Sequence, residues 1–404
     1  MEQMTDMTAS GRQGTIFFIG NGTYCEQTSG GEIHFFHMVE AAVTACRAVD
    51  IFGGHALKEK IDRLFPQGIP VTLTDHSQVK PFDAHTLGGQ FRLLLDYGRR
   101  FIGSLKQLHK IKPDDSVYAV SDYWFDVWPL LLCKARRKLM ILGMDAPTLK
   151  EIIFRLRPDV DASRLNSIYY WLSQNLSLWL FLLLGNKRLF YVHPDMKPRL
   201  LAMGYREEEI VFISNGMNLK AAEQVPPQKK EYDVVWLGRV HRQKGIDDLL
   251  AMFVILAREL KDFRAVLVGR LDELAPRLAD LKLSHCVTLT GLVSEEAKFR
   301  IFKASRVFLM PSRQESWGIV IAEALACDVP VVAYDLPAYR PIFGNLIDYV
   351  PSFDFEIFKS KSFAAVTKAR RGEVALDAHE LALLKAEHSW EAAGNRFIAT
   401  LKTF

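Results

Sequence analysis

The sequence predicts an α/β protein built as two doubly wound domains that face each other across a cleft. Three observations predict it. Short apolar runs alternate with segments of helical period along most of the chain, the pattern of parallel sheets covered by helices. A polar, proline-bearing stretch, AAEQVPPQKKEYD at 221–233, interrupts the alternation and reads as a linker, after which the pattern starts afresh. The chain has 404 residues, more than one hydrophobic core organises. Two α/β domains on a linker imply a cleft, and such clefts are where ligands bind.

The first domain, 1–220, begins with a polar tail over the first dozen residues, which reads as frayed and not as a signal peptide. TIFFIG at 15–20 is a first strand, and the loop NGTYCEQTSGG leads into a helix over 32–49. Gly30 and Gly31 at that helix start allow close backbone approach to a ligand, although the GxGxxG spacing is absent and two plain turn glycines are the alternative. Strands follow at 71–74, 117–120, 139–142, 189–192 and 210–213. Helices are expected at 90–109 and 124–135. LNSIYYWLSQNLSLWLFLLL at 165–184 is a further helix, rich in aromatic residues.

The second domain, 234–388, repeats the scheme. Strands are expected at 234–237, 265–268, 287–289 and 307–310, with helices at 245–260 and 294–304. In the first of these helices Ile246, Leu249, Leu250, Phe253, Leu256, Ala257 and Leu260 recur at helical spacing, with Asp247 and Asp248 in the first turn, where the dipole favours them. Residues 354–404 are helical, and 389–404, opening with Ser389 and Trp390, form a last helix.

Hydrophobic residues make up 49% and charged residues 24%, the balance of an ordinary soluble protein. Cys25, Cys46, Cys133, Cys286 and Cys327 are scattered and odd in number, with no CxxC, which points to a reducing, cytoplasmic setting. The net charge of +4 lies wholly in residues 1–200, with 24 Lys and Arg against 20 Asp and Glu. That is too mild for a nucleic-acid binder.

The chemistry concentrates at FLMPSRQESWGIVIAEALACDVPVVAYDLP, 308–337. A strand ends in Pro311 and Ser312, a polar loop of Arg313, Gln314 and Glu315 follows, and a helix begins at Gly318. Cys327, Asp328 and Pro330 stop it before a second strand at 331–333. Ligands of parallel sheets gather where such loops meet helix N-termini. There the amides of Ser316, Trp317, Gly318 and Ile319 form a site for anions and hydroxyls. Glu315 and Glu323 stand roughly 12 Å apart along an ideal helix axis. That spacing suits a ligand with hydroxyls at two points better than a metal ion. Glu323 lies among Ile321, Ala322, Ala324 and Leu325, so it needs a partner.

A second loop, WLGRVHRQKG at 236–245, places Gly238 and Arg239 at a strand's end and Lys244 and Gly245 at a helix start. Two cations beside a helix N-terminus are what a diphosphate needs, though the P-loop order is absent. Cations for phosphates and carboxylates for hydroxyls on one sheet edge together describe a nucleotide sugar.

The pattern GR-x4-KG followed by PS-x2-E-x-[WF]-G-x4-E-A resembles the retaining nucleotide-sugar glycosyltransferases of the GT-B fold, glycosyltransferase family 4. SGGEIHFFHMVEA, ISNGMN at 213–218, TGLVSEE at 290–296 and HSWEAAGNRF extend the resemblance over most of the chain. It implies two Rossmann-like domains and a UDP- or GDP-linked sugar donor. Arg239 and Lys244 would neutralise the departing diphosphate, Glu315 would meet the donor-sugar hydroxyls, and Glu323 would hold the ribose. The amides of Trp317, Gly318 and Ile319 would support sugar and phosphate. Gly31 would let the first domain close on the diphosphate, and Gly30, Gly238, Leu292 and Ser316 fall in the same donor-side stretches. The last helix would cross back to the first domain. Neither metal nor cofactor is implied. The chain departs from the family in one place: a histidine often ends the first-domain strand facing the donor, and here KLMILGMDAP puts Asp145 at or near that position, with Asp122 a second candidate.

The resemblance leaves other GT-B enzymes open, a sugar phosphorylase or a nucleotide-sugar epimerase, as well as a nucleotide-sugar-binding protein without turnover. For the acceptor, three features point to a membrane surface on its inner face: five cations and no acid at 99–112, KARRK at 134–138, and the aromatic helix with its flanking cations at 165–188. A glycan or lipid-linked acceptor follows. Solvated basic faces and a buried core helix are the alternative.

Overall fold

The computed structural model describes residues 14–23, 29–75, 87–156 and 164–404. The polar tail, Cys25 and part of the loop before Ser29 lie outside them. In chain order the elements begin β1 (Ile16–Gly20), α1 (Gly30–Thr44), β2 (Val49–Gly53), α2 (His55–Leu64), β3 (Val71–Leu73) and α3 (Leu87–Gln107). Next come β4 (Ser116–Ala119), α4 (Trp124–Val127), α5 (Pro129–Leu132), β5 (Arg137–Leu142), α6 (Leu149–Phe154) and α7 (Arg164–Leu182). Then follow β6 (Lys187–Tyr191), α8 (Met196–Ala202), β7 (Ile210–Phe212), α9 (Leu219–Gln224), β8 (Tyr232–Leu237) and α10 (Ile246–Glu259). The chain continues through β9 (Ala265–Val268), α11 (Ala275–Asp280), β10 (Val287–Leu289), α12 (Glu295–Lys303), β11 (Ser305–Met310) and α13 (Ile319–Ala326). It ends with β12 (Val331–Tyr334), α14 (Arg340–Phe343), β13 (Ile347–Val350), α15 (Phe355–Arg370), α16 (Ala378–Glu387) and α17 (Trp390–Lys402).

By packing, the chain divides into two compact units. Unit 1 takes residues up to Ala146, then Ile168–Ile213 and Gly394–Phe404; unit 2 takes Pro147–Ser167 and Ser214–Ala393. The division falls inside α7 and α17, and of the described residues 147–156, 164–167 and 214–220 pack with the second unit although they precede the linker in sequence.

Unit 1 holds a parallel sheet in the order β3-β2-β1-β4-β5-β6-β7. Successive strands step one way from β1 to β3 and the other way from β4 to β7. Right-handed crossovers therefore place α1 and α2 on one face and α3, α4, α5 and α7 on the other. On the first face Phe397 of α17 packs against Phe18, Tyr118 and Phe190, and a Cβ added at Gly394 would come within 2.7 Å of the Ala41 Cβ. On the second face α4 joins its neighbours: Trp124 meets Phe101 of α3 edge-on, and its indole donates to the Tyr169 hydroxyl of α7 at 2.7 Å.

Unit 2 has the parallel order β10-β9-β8-β11-β12-β13, again reversing in the middle, at the β8/β11 pair. One core lies on each face of this sheet: Phe308, Met310 and Ile321 on one side, Trp236, Phe253 and Leu309 on the other.

Several elements differ from the sequence expectation for local reasons. The helix expected to reach Val49 stops at Thr44, because Cys46 adopts a left-handed φ of 55° and Val49 opens β2. The helix expected over 124–135 is two short ones, since Pro129 has no amide to continue the first. The linker at 221–233 begins as the end of α9, capped by the Asn218 side chain, and runs into β8 at Tyr232. The basic run at 99–112 is not wholly a surface feature. Arg100 is 1% exposed; its guanidinium donates to the carbonyls of Asn21 and Thr23 and pairs with Asp75 and Asp96. Lys187 is likewise buried, paired with Glu209 at 2.8 Å.

Candidate functional site

The two motif loops leave adjacent strands. β8 and β11 pair at the point where the strand order of unit 2 reverses, and the 238–245 and 311–318 loops emerge side by side at their carboxyl ends. A reversal of this kind is where open α/β sheets bind ligands. The loops are laced together. Arg313 N donates to the Gln243 carbonyl at 2.7 Å, Gln243 Nε2 to Gln314 Oε1 at 3.0 Å, and Lys244 Nζ to Glu315 Oε1 at 2.5 Å. Gly245 makes this possible. Its φ is 63°, and a Cβ there would come within 1.8 Å of the Pro311 carbonyl oxygen.

Lys244 and Glu315 are mostly buried, at 18% and 14% side-chain exposure, and face each other as an ion pair. Arg239, at the end of β8, is exposed and makes no ion pair among the described residues. Gly238 sits under the Trp236 ring. Gly318, with a φ of 97°, turns the chain into α13, and the amides of Ser316, Trp317, Gly318 and Ile319 meet no acceptor among the described residues. The Trp317 side chain does something else: it is buried, edge-on to Phe343 and His388. His388 Nδ1 in turn lies 2.7 Å from the Ser214 hydroxyl, and Met217 exchanges backbone hydrogen bonds with His388 and Trp390. The ISNGMN and HSW stretches thus meet beside the same loop.

Glu323 is 6% exposed and receives a hydrogen bond from Lys298 Nζ of α12 at 2.5 Å. Burial works against the Lys298 ammonium, but the charges and hydrogen bonds of Glu323 and Glu295 outweigh it and raise the group's pKa. Leu292, on the loop after β10, is exposed.

In unit 1, Gly30 and Gly31 open α1 behind the Ser29 cap, which forms a capping box with Glu32. A Cβ at Gly31 would touch nothing nearer than Ser29 Oγ at 4.0 Å, so neither its packing nor its φ calls for glycine. Asp145 follows β5 and is held by Arg199 of α8. Asp122 follows β4 and is buried, accepting hydrogen bonds from Gln174 and, at 3.1 Å, from Tyr170. Burial pushes its pKa up to about 6, against those two hydrogen bonds. Nearby Asp126 is pushed to about 7 by burial, although Ser121 and the Asn21 amide donate to it. Sequence reasoning missed Lys298, Gln174 and Arg199. Only the isolation of Glu323 in an apolar helix signalled that a cation had to come from somewhere.

Among the described residues no three His, Cys, Asp or Glu side chains gather to hold a metal ion, and no helix is long and apolar enough to cross a membrane.

The fold is that of the GT-B proteins. Anabaena HepE, solved with UDP and glucose, superposes with a TM-score of 0.67 over 96% of this chain and 100% of its own, at 15% identity. TarM superposes with a TM-score of 0.68 over 96% and 98% of the two chains, at 11% identity. Residues 219–350 match the family of glycosyl transferases group 1. Among curated relatives, the alpha-galactosylglucosyldiacylglycerol synthase of Streptococcus pneumoniae is 26% identical over 39% of this chain and 47% of its own length. The phosphatidyl-myo-inositol mannosyltransferase of Mycobacterium leprae is 32% identical over 36% of this chain and 41% of its own. The chain thus spans less than half the length of these relatives.

Proposed function

We propose that the protein is a retaining, metal-independent glycosyltransferase that moves a hexose-type sugar from a UDP- or GDP-linked donor to a glycan or lipid-linked hydroxyl. The observation that carries this reading is the laced pair of loops on β8 and β11. It sets Lys244, Glu315 and the amides around Gly318 on one sheet edge, with Arg239 at the same edge. Arg239, Lys244 and the amides balance charge on the leaving diphosphate, Glu315 takes up hydroxyls of the donor sugar, and Glu323 the ribose. The exposed Leu292, after β10 of the same sheet, offers a face to the base. The acceptor oxygen bonds to the anomeric carbon as the carbon–phosphate oxygen bond breaks. The diphosphate leaves with the electron pair and takes the acceptor's proton. Asp145, already engaged by Arg199, orients a sugar or acceptor hydroxyl and does not act as a nucleophile. Incubation with a panel of nucleotide sugars tests the reading: nucleotide release from one UDP or GDP donor is expected, and release from none contradicts it.

The acceptor reading rests on the helical face of unit 1. On α7 the exposed side chains Ile168, Leu172, Leu176 and Trp179, with Leu183 just beyond, recur at intervals of three and four. No charge occurs between Leu165 and Asn186. On α3, Phe91, Leu94, Leu95 and Ile102 are exposed, and Arg92, Arg99 and Lys106 run along one flank at intervals of seven. Both helices adjoin α4. Such faces lie in a bilayer interface, with each cation adding about 1 kcal/mol at an anionic surface. This supports a cytoplasmic protein peripheral to the inner face of a membrane and a lipid-linked acceptor. Flotation should bring the protein up with anionic vesicles and much less with neutral ones. Replacing Leu172, Leu176 and Trp179 together by serine should abolish flotation without moving the melting temperature. Equal flotation of that variant, or none by the wild type, contradicts the reading.

A further inference from the structure

α13 reads IVIAEALA, and Glu323 is its single charged residue. A carboxylate placed in such a helix stays ionised only if a cation and hydrogen bonds replace the water it has lost. The replacement comes from the neighbouring helix. Lys298 Nζ lies 2.5 Å from Glu323 Oε1 and 3.6 Å from Glu295 Oε1, and the Lys298 side chain is 17% exposed. Glu295 is anchored in turn, its Oε2 accepting from Asn218 Nδ2 at 2.9 Å. Asn218 also caps α9, its side-chain oxygen accepting from the Ala221 amide. The chain of contacts Asn218–Glu295–Lys298–Glu323 therefore ties three helices of unit 2 to one carboxylate.

A free glutamate side chain samples several rotamers and gives up that freedom when it binds a ligand. A carboxylate already fixed by a buried ammonium has little left to lose, so its geometry toward a pair of vicinal hydroxyls is preorganised. We infer that Lys298 is a positioning residue that fixes Glu323 for the ribose diol and so sets the preference of the site for ribonucleotides over deoxyribonucleotides. The inference rests on the proposed ribose role of Glu323. Lys298 acts through that carboxylate, without touching the ligand.

The test is calorimetric titration of the full chain with UDP and with GDP, each against its 2′-deoxy form. The wild type should prefer the ribo form of the nucleotide it binds by about tenfold or more, the value of one hydrogen bond to a charged group. Lys298→Met should cut the preference to about threefold or less, and Lys298→Arg should restore most of it. In a Glu323→Gln background, Lys298→Met should change the ratio no further. That double variant holds no buried charge at this position and so folds even if Lys298→Met alone does not. A wild-type ratio in Lys298→Met, or the same drop in both backgrounds, overturns the inference. A wild-type ratio in Glu323→Gln alone overturns instead the ribose role on which it rests.

Discussion

Replacing Lys244 by alanine separates its contact with Glu315 from the catalytic role proposed for it. Its Nζ donates to Glu315 Oε1 at 2.5 Å, with both side chains mostly buried. The substitution removes that hydrogen bond but leaves the other ties between the loops. The Arg313 amide still meets the Gln243 carbonyl, and Gly245 still rests against Pro311. The structural loss is one hydrogen bond between charged groups, about 1.5–3 kcal/mol, which a domain with this much buried apolar core tolerates. The catalytic loss is of a different kind. A fixed cation aimed at charge that develops only as the diphosphate departs contributes about 3–4 kcal/mol to the transition state, a hundredfold or more in turnover. Initial rates at saturating donor, with a thermal melt of the same preparation, measure both. A folded variant that transfers sugar within about threefold of wild type refutes the role given to Lys244.

Glu323→Ala should weaken binding of the bare nucleoside diphosphate, whereas Glu315→Ala should leave that affinity nearly intact and slow turnover, because contacts to the reacting sugar strengthen at the barrier. Calorimetry with the diphosphate alone decides, and equal losses contradict the division. Activity should persist in excess EDTA, and a strict divalent-metal requirement would count against the proposed chemistry. Unit 1 should lose stability as pH rises. Burial lifts the pKa of Asp126 from 3.8 to about 7, so between those values the folded state holds a proton that the unfolded chain has released. Asp126→Asn cannot titrate, and its melting temperature should fall less from pH 5 to pH 8 than that of the wild type. Asp122 keeps part of the slope in both. Identical falls would show that Asp126 does not carry the effect.

The two motif loops of unit 2 were legible because their physics is local. Gly238, Gly245 and Gly318 stand where strand ends turn into helices, and Glu323 stands out as a lone charge in an apolar stretch. What stayed hidden depends on partners far along the chain. Nothing in KFRIFK announces that its first lysine meets Glu323. Nor does the sequence of β5 announce that Asp145 meets Arg199, 54 residues on. One cation of the basic run at 99–112 misled for the same reason: Arg100 looks like its neighbours, but it points inward to carbonyls and carboxylates brought there by β1, β3 and the loops that follow them. Short elements also escaped. β2 was missed, and the preceding helix was carried on to 49, because the left-handed turn at Cys46 has no glycine to mark it.

The most direct test of the account is the stereochemistry of transfer. With the α-linked nucleotide sugar that supports nucleotide release, and with EDTA present, the product should be separated and its anomeric proton read by NMR. The small coupling of an α-glycoside or, for a mannosyl donor, the matching one-bond carbon–proton coupling is the predicted result. A β-linked product would contradict the account, because it would mean that the donor's configuration is inverted at this site.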